Sequence, residues 1–369
     1  MVTICHLTTA HPAGDPRIYQ REILSISENI SANLIYASNG NFVASNINFD
    51  SLGDIPKNRI SRFLRSQVVP FKLLFKYKVD IWHLHDLELA PFAILLCKLN
   101  KTVIWDAHED YFEQFKPEIS HRDYIPKFIR RAIAIFIKLL LKSLDKNCTA
   151  IVVATEEIKR KYRNSQTVLV GNETKIEVFE NCRPNIGFKT ALFTGAMSKQ
   201  QCFREIVMAV ASTEDMSLIV AGREISTELK FATEALGNRF EYVGYLDPAK
   251  LSELLNRVSF GLVTYEDSPI YATNRSNKFY EFAAAGLPIV ATPTGANIEL
   301  IASSKGGVTA IDFSVQSIKK AMELVISDQH NWKEMSENNR KWVIDNGNWK
   351  HSESRLLNLY SKLIIKVLD

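Results

Sequence analysis

The chain has 369 residues, 46% hydrophobic and 23% charged, with a formal net charge of +4. That length is about twice a typical domain, and the balance excludes a disordered or fibrous chain. Five cysteines (Cys5, Cys97, Cys148, Cys182, Cys202) are scattered with no C-x-x-C pair, which argues for free thiols in a reducing compartment. The N-terminus lacks the basic start and apolar core of a signal peptide, and the longest apolar stretch, residues 132–141, falls far short of the ~20 residues of a spanning helix. The expectation is a cytoplasmic protein, at most peripheral on the inner face of the membrane.

Charge is unevenly divided. Residues 1–185 carry 25 Lys/Arg against 20 Asp/Glu, whereas residues 186–369 carry 20 against 21. The excess concentrates in 57–78, including Lys57, Arg62 and Lys72, and in 122–146, which begins at Arg122. Both stretches interleave cations with Phe, Leu and Ile, a pattern suited to an anionic lipid surface and equally to a solvated helix face with snorkelling stems.

In chain order, strands are predicted at 2–9, 33–37, 80–85, 102–107, 150–154 and 167–170. A second series follows at 190–194, 217–221, 240–244, 259–263, 288–292 and 307–311. Several are apolar on both faces, as Leu218-Ile219-Val220 illustrates, the mark of a strand covered on two sides. Helices are predicted between them at 87–99, 123–146, 203–211, 248–256, 276–285 and 315–326, with an amphipathic closing helix at 352–367. Alternation of this kind implies two parallel sheets flanked by helices. Asn181-Cys182-Arg183-Pro184-Asn185 breaks periodicity midway, so the expected domains are 1–182 and 186–349, with the 350–369 helix packing back onto the first.

In open parallel sheets ligands bind beyond the carboxyl ends of strands, and the richest such segment is Thr273 to Val290. A polar loop enters a short helix that Gly286 is placed to end, and Pro288 opens a buried strand. The free N–H groups at Ser276 and Asn277 make an anion site to which Lys278 adds charge, and Glu281 is placed to accept two hydroxyl hydrogen bonds, as from a ribose. A surface helix carrying an i,i+3 ion pair is the plainer alternative on spacing alone.

The run Ser276-Asn277-Lys278-Phe279-Tyr280-Glu281 through Ala285-Gly286-Leu287-Pro288-Ile289-Val290 resembles the donor-site signature of family 4 retaining glycosyltransferases. His11-Pro12-Ala13-Gly14-Asp15-Pro16-Arg17-Ile18 with Glu22 resembles a loop of bacterial polysaccharide members. His83-Leu84-His85-Asp86, Asp106-Ala107-His108-Glu109-Asp110 and the closing 356–360 segment are similar in the same order. The resemblance implies the GT-B architecture, two Rossmann-like domains with parallel sheets facing across a cleft. It implies metal-free sugar transfer with retention from a nucleotide diphosphate sugar, a co-substrate and no cofactor. The acceptor would be a saccharide or lipid-linked saccharide in bacterial surface polysaccharide or lipopolysaccharide synthesis. Glu281 would hold the donor ribose, Asn277 and Lys278 the diphosphate, and Tyr245 with Gly244 the base, while Gly195, Lys199, Arg223 and Ser276 complete the donor side. His108, Glu109 and Asp15 are the candidate catalytic groups. His11, Arg17, His85 and Asp86 are expected on the acceptor side.

Two positions depart from that pattern. Thr273 stands where many members carry a glutamate that touches the donor sugar, and Glu266 or Asp267 is the expected substitute. Gln201-Cys202 stands where a basic residue precedes a glycine, leaving Lys199, Arg204 or Arg223 to supply the cation. The histidines invite a metal reading, but the H-x-H-x-D-H spacing is not met and no metal is expected. A nucleotide-sugar epimerase and a non-catalytic binding partner in a polysaccharide-assembly complex are the remaining alternatives. Nucleic-acid binding lacks any accompanying motif.

Overall fold

The computed structural model describes residues 1–41, 47–56, 58–116 and 126–369, with Arg59 and Ile60 described in their backbone alone. Lys57, Arg122 and the stretch 117–125, where one helix was expected to begin, lie outside the described residues. The chain divides into two compact units, Met1–Gly171 with Lys350–Asp369, and Asn172–Trp349. The first unit ends at Gly171, earlier than the Pro-Asn seam suggests. Residues from Asn172 onward join the second unit because Thr174 bonds the backbone of Gly347 and Trp349, and Asn172 donates to the Arg275 carbonyl.

The first unit is a seven-stranded sheet in the order β3-β2-β1-β4-β5-β6-β7. Its strands are β1 (Thr3–Pro12), β2 (Asn33–Asn39), β3 (Asn48–Ser51), β4 (Ile81–Leu84), β5 (Thr102–Ala107), β6 (Ala150–Val153) and β7 (Thr167–Leu169). Every pairing is parallel. The central strands are buried on both faces, with Trp82, Trp105 and Ile151 inaccessible to solvent. Strand order reverses between β1 and β4, so the carboxyl ends of these two strands and β5 frame the place where such a sheet binds ligands.

The second unit is a six-stranded parallel sheet, β10-β9-β8-β11-β12-β13. It comprises β8 (Thr190–Thr194), β9 (Ser217–Ala221), β10 (Phe240–Gly244), β11 (Phe260–Val263), β12 (Ile289–Ala291) and β13 (Gly307–Thr309). Its reversal lies between β8 and β11. One core cluster joins Leu192, Phe279 and Phe282, and a second on the other face joins Phe193, Phe203 and Phe260.

All twelve predicted strands form, and β3 is additional. Its sequence, Asn48-Phe49-Asp50-Ser51, has no apolar run, because a short edge strand needs none and is kept from further pairing by polar residues. Helices Arg59–Lys76, Ser226–Leu236, Gly295–Ser304 and Gln329–Asn346 were also not predicted.

Candidate functional site

In the second unit, β11 runs through Thr264 and Tyr265 into the loop that opens the helix Asn277–Ala285. Ser276 holds the N-cap backbone conformation but makes no side-chain hydrogen bond to the first turn, its hydroxyl pairing instead with the Tyr265 phenol at 3.0 Å. The first-turn amides therefore lack a side-chain cap, the condition under which a helix start attracts an anion. Gly286 ends the helix at φ +67, and Arg340 donates to the terminal carbonyl of Ala285 at 2.6 Å.

Lys278 is buried beneath this helix start. Its Nζ donates to Gln201 Oε1 at 2.8 Å and lies 5.1 and 5.0 Å from the ring centres of Phe193 and Tyr265. Burial lowers its pKa to about 7, against the opposing pull of Glu281. Gln201 thus stands not as a missing cation but as the acceptor that holds the Lys278 ammonium in place. Gly195, at φ +135 after β8, makes room for it, since a Cβ there would collide with the Gln201 amide. Glu281, one turn into the helix, is half-buried, and the Asn277 Oδ1 atom is buried with no hydrogen-bond partner among the described residues.

The other expected donor-side residues occupy the same end of the sheet on separate loops. Lys199 follows β8, Arg223 follows β9 and Tyr245 follows β10, all exposed. Arg204 is unsuited to a phosphate, because its guanidinium pairs with Glu228 at 2.8 Å and covers the Phe231 ring. Glu266 and Thr273 are half-buried in the loop after β11, and Asp267 is exposed.

In the first unit, the carboxyl ends of β1, β4 and β5 gather a dense polar cluster. Asp86, after β4, is buried and accepts from the Thr8 hydroxyl and the Thr9 and Ala10 amides, tying the end of β1 to that of β4. His11 sits between two carboxylates, with Nδ1 3.1 Å from Asp15 Oδ2 and Nε2 3.4 Å from Asp86 Oδ1. Burial opposes its charge, yet Asp15, Asp86 and Glu109 outweigh it and raise the pKa to about 9, so His11 is an imidazolium at neutral pH. Asp15 also accepts from the Arg17 and Ile18 amides, and its pKa is lowered. The chain then enters a π-type turn, Ile18–Ile23, that directs Glu22 inward.

Arg17 is the cation at the centre. Its guanidinium reaches Asp106 Oδ1 at 3.3 Å, Glu22 Oε1 at 3.2 Å and the Gly171 carbonyl at 3.0 Å. Of the two buried carboxylates flanking it, Asp106 is held ionised: burial opposes this, but Arg17 and the neighbouring histidines prevail. Glu22 is pushed upward by burial and by the Asp106 charge. Asp106 Oδ2 also receives His85 Nδ1 at 2.9 Å and lies 3.5 Å from His108 Nδ1. His108 stacks edge-on against His11, with ring centres 5.2 Å apart, and Glu109 is exposed and bonded to Gln114.

The structure therefore brings His11, Asp15, Arg17, His85, Asp86 and His108 into one cluster, while Glu109 sits at its outer edge. Sequence reasoning included Asp106 in the Asp106–Asp110 motif but gave it no role, although it is the centre of this cluster. Only its place immediately before Ala107-His108 could have signalled it.

A family model described as Glycosyl transferases group 1 matches residues 188–328, most of the second unit. No curated protein gives a significant sequence match. Among solved structures, sucrose-phosphate synthase from Thermosynechococcus elongatus superposes with a TM-score of 0.77 at 15% identity, covering 99% of this chain and all of that one. Anabaena Alr3699/HepE in complex with UDP-glucose gives 0.70 at 12% identity over 98% of this chain and 100% of the other. WaaG, a glycosyltransferase involved in lipopolysaccharide biosynthesis, gives 0.70 at 12% identity over 96% and 98%. At such identities the likeness establishes the fold: the chain has the GT-B architecture of the glycosyltransferases, with two parallel α/β sheets.

Proposed function

We propose that the protein transfers a sugar from a nucleotide diphosphate sugar, bound by the second unit, to a saccharide or lipid-linked saccharide acceptor. One observation carries the reading: an uncapped helix start with Lys278 beneath it and Glu281 a turn deeper, at the reversal point of a parallel sheet. The diphosphate would rest on the Ser276–Asn277 amides and Lys278, and the ribose diol on Glu281. UDP and UDP-glucose in the Anabaena neighbour's structures support a nucleotide donor.

In the reaction proposed, the acceptor oxygen forms the new bond to the anomeric carbon as the carbon–diphosphate oxygen bond breaks. The acceptor proton passes to the departing phosphate, and configuration is retained. Developing charge on that phosphate would be met by groups already in place, without metal. His108, whose Nδ1 lies 3.5 Å from Asp106, would act as a catalytic group near the transferred sugar, with His11 on the acceptor side.

The acceptor is proposed to be lipid-linked, as in surface polysaccharide or lipopolysaccharide synthesis, with the first unit resting on the cytoplasmic membrane face. The helices Arg59–Lys76 and Lys127–Asn147 support this. Phe75 is 86% exposed on the first and Phe128 74% on the second, among exposed Lys72, Arg131, Lys138 and Lys142. Leu64 and Val68 are exposed on the first of these helices as well, so its apolar face continues for several turns. Beside the second lies a cavity of about 400 Å³ whose lining includes Phe112, Phe115 and Ile135 together with Lys116, Arg131 and Lys138, a match for an apolar chain with an anionic head.

A thermal-shift series with UDP, GDP and ADP tests the donor site, with stabilisation by one nucleotide expected and its loss in Glu281→Gln. No stabilisation by any of them would remove the nucleotide-sugar reading. Flotation with anionic vesicles at low salt tests the membrane reading, and an unbound protein would remove that part alone.

A further inference from the structure

Beneath the first-unit cluster lie three stacked imidazoles. His6 is on β1, and His83 and His85 are two residues apart on and just beyond β4, so they share a face. All three are buried, with ring centres of His83 and His85 4.4 Å apart and those of His6 and His83 4.6 Å apart. The phenol of Tyr360, on the helix Trp349–Leu368, reaches two of them, at 2.7 Å from His83 Nδ1 and 2.9 Å from His6 Nε2. His6 Nδ1 is 3.0 Å from His85 Nε2, and His85 Nδ1 is 2.9 Å from Asp106 Oδ2.

Two facts fix every proton in this series. Burial keeps the three imidazoles neutral, and Asp106 is an ionised carboxylate that only accepts, so His85 donates from Nδ1 and its Nε2 is bare. His6 must then donate from Nδ1 to that bare nitrogen, which leaves its own Nε2 to accept the Tyr360 O–H. A phenol has one hydrogen, so His83 donates from Nδ1 to the Tyr360 oxygen. Its Nε2 is left bare, and among the described residues that is the one ring nitrogen of the three with no partner. We infer that His83, Tyr360, His6, His85 and Asp106 form a single hydrogen-bonded chain running one way, with all three histidines in the Nδ1–H form, and that Tyr360 is through it a positioning residue for Asp106 and His108.

His6, Glu22, His83 and His85 also bring ligand-type atoms within 4.8 Å of one another, as a metal site would. The chain is the better account, because the Nε2 lone pairs of His6 and His85 are already taken by the Tyr360 O–H and the His6 Nδ1–H, and a metal would have to displace both bonds beside the Arg17 guanidinium, 3.2 Å from Glu22. Linked donors polarise one another, so the hydroxyl of Tyr360 strengthens the His85 bond to Asp106 and weakens the hold of Asp106 on His108. What His108 does in catalysis rests on the transferase reading; the chain and its tests do not.

The experiment is long-range proton–nitrogen correlation on the full chain with 15N-labelled histidine at neutral pH. Three Nδ1–H imidazoles are expected, the less common neutral form in water. A neutral His6 or His85 protonated on Nε2 would overturn the chain, whether or not any variant folds. In Tyr360→Phe the Nε2 resonance of His6 should shift and the ring nitrogen resonances of His108 should move with it. A shifted His6 with an unmoved His108 would reduce Tyr360 to packing and overturn the positioning role. One equivalent of transition metal retained after dialysis against chelator would overturn the chain in favour of a metal site. None of these readings needs sugar transfer, so an inactive protein would sink the proposed function and leave this inference to stand or fall alone.

Discussion

The two sheets place charge at their reversal points in opposite ways. In the first unit Arg17, Asp106, His11, Asp15 and Asp86 satisfy one another, so nearly every charge already has its counter-charge. In the second unit Lys278 is buried against two aromatic rings with an amide oxygen as its hydrogen-bond acceptor, and burial brings its pKa to about 7. A paired cluster fixes geometry, whereas a poorly compensated buried cation is a place where an incoming anion gains most. Under the proposed function the first cluster would orient and the second would capture ligand, and each role can be broken by substitution.

The largest effect is expected at Arg17. Arg17→Met removes the partner of a buried ionised carboxylate, and breaking such a pair costs about 3–5 kcal/mol. Urea unfolding should show that loss, and a change below about 1 kcal/mol would mean that Asp106 is held by its histidines alone. Glu281→Gln should instead show mainly in ligand binding, weakening the donor by about 1.5–3 kcal/mol, the worth of a charged hydrogen bond. Unchanged donor binding would remove Glu281 from the site. Lys278→Met sharpens the contrast further: it should weaken nucleotide binding while stabilising the unliganded protein, since a buried cation is replaced by an apolar chain of similar length. Destabilisation by this change would show that the Lys278–Gln201 bond outweighs the burial of charge.

Sequence periodicity carried the fold because a parallel strand covered on both faces must be apolar throughout, as Leu218-Ile219-Val220 and Ala150-Ile151-Val152-Val153 are. Where that constraint lapses, the signal lapses: β3 is a polar edge, and Gln329–Asn346 is a helix whose surface is dominated by charged and amide side chains. Candidate site residues could be picked out where a motif follows a strand, as at His85-Asp86 and Ser276–Glu281. The site was not legible where partners come from distant elements. Gln201 meets Lys278 across 77 residues, and Tyr360 meets His6 across 354. No spacing rule links such pairs, and only the topology of the sheet does.

A smaller effect concerns protons taken up with the ligand. With its pKa near 7, Lys278 is partly neutral slightly above neutrality, and a bound diphosphate would favour its charged form. Calorimetric titration with a nucleoside diphosphate at pH 8, repeated in buffers of different ionisation enthalpy, should reveal uptake of a fraction of a proton. Lys278→Met should abolish it. Proton-neutral binding in the wild type would mean that the phosphate is received elsewhere on the helix.

The effect at His11 separates from that at Lys278 by sign. The pKa of His11 rises from its ordinary 6.5 to about 9 in the fold, so between those values the folded protein binds more protons than the unfolded chain. Stability from His11 is therefore complete below pH 6.5, declines as pH rises and is gone above about 9. Lys278 does the reverse: its folded pKa of about 7 lies below the ordinary 10.5, so its contribution improves as pH rises through that window. In the wild type the two trends offset one another between about pH 7 and 9. In Lys278→Met only the His11 decline should remain, and adding His11→Asn should flatten the profile. A double variant that still loses stability over this range would show that the imidazolium is not the group responsible, and that Asp15 and Asp86 hold the loop without it.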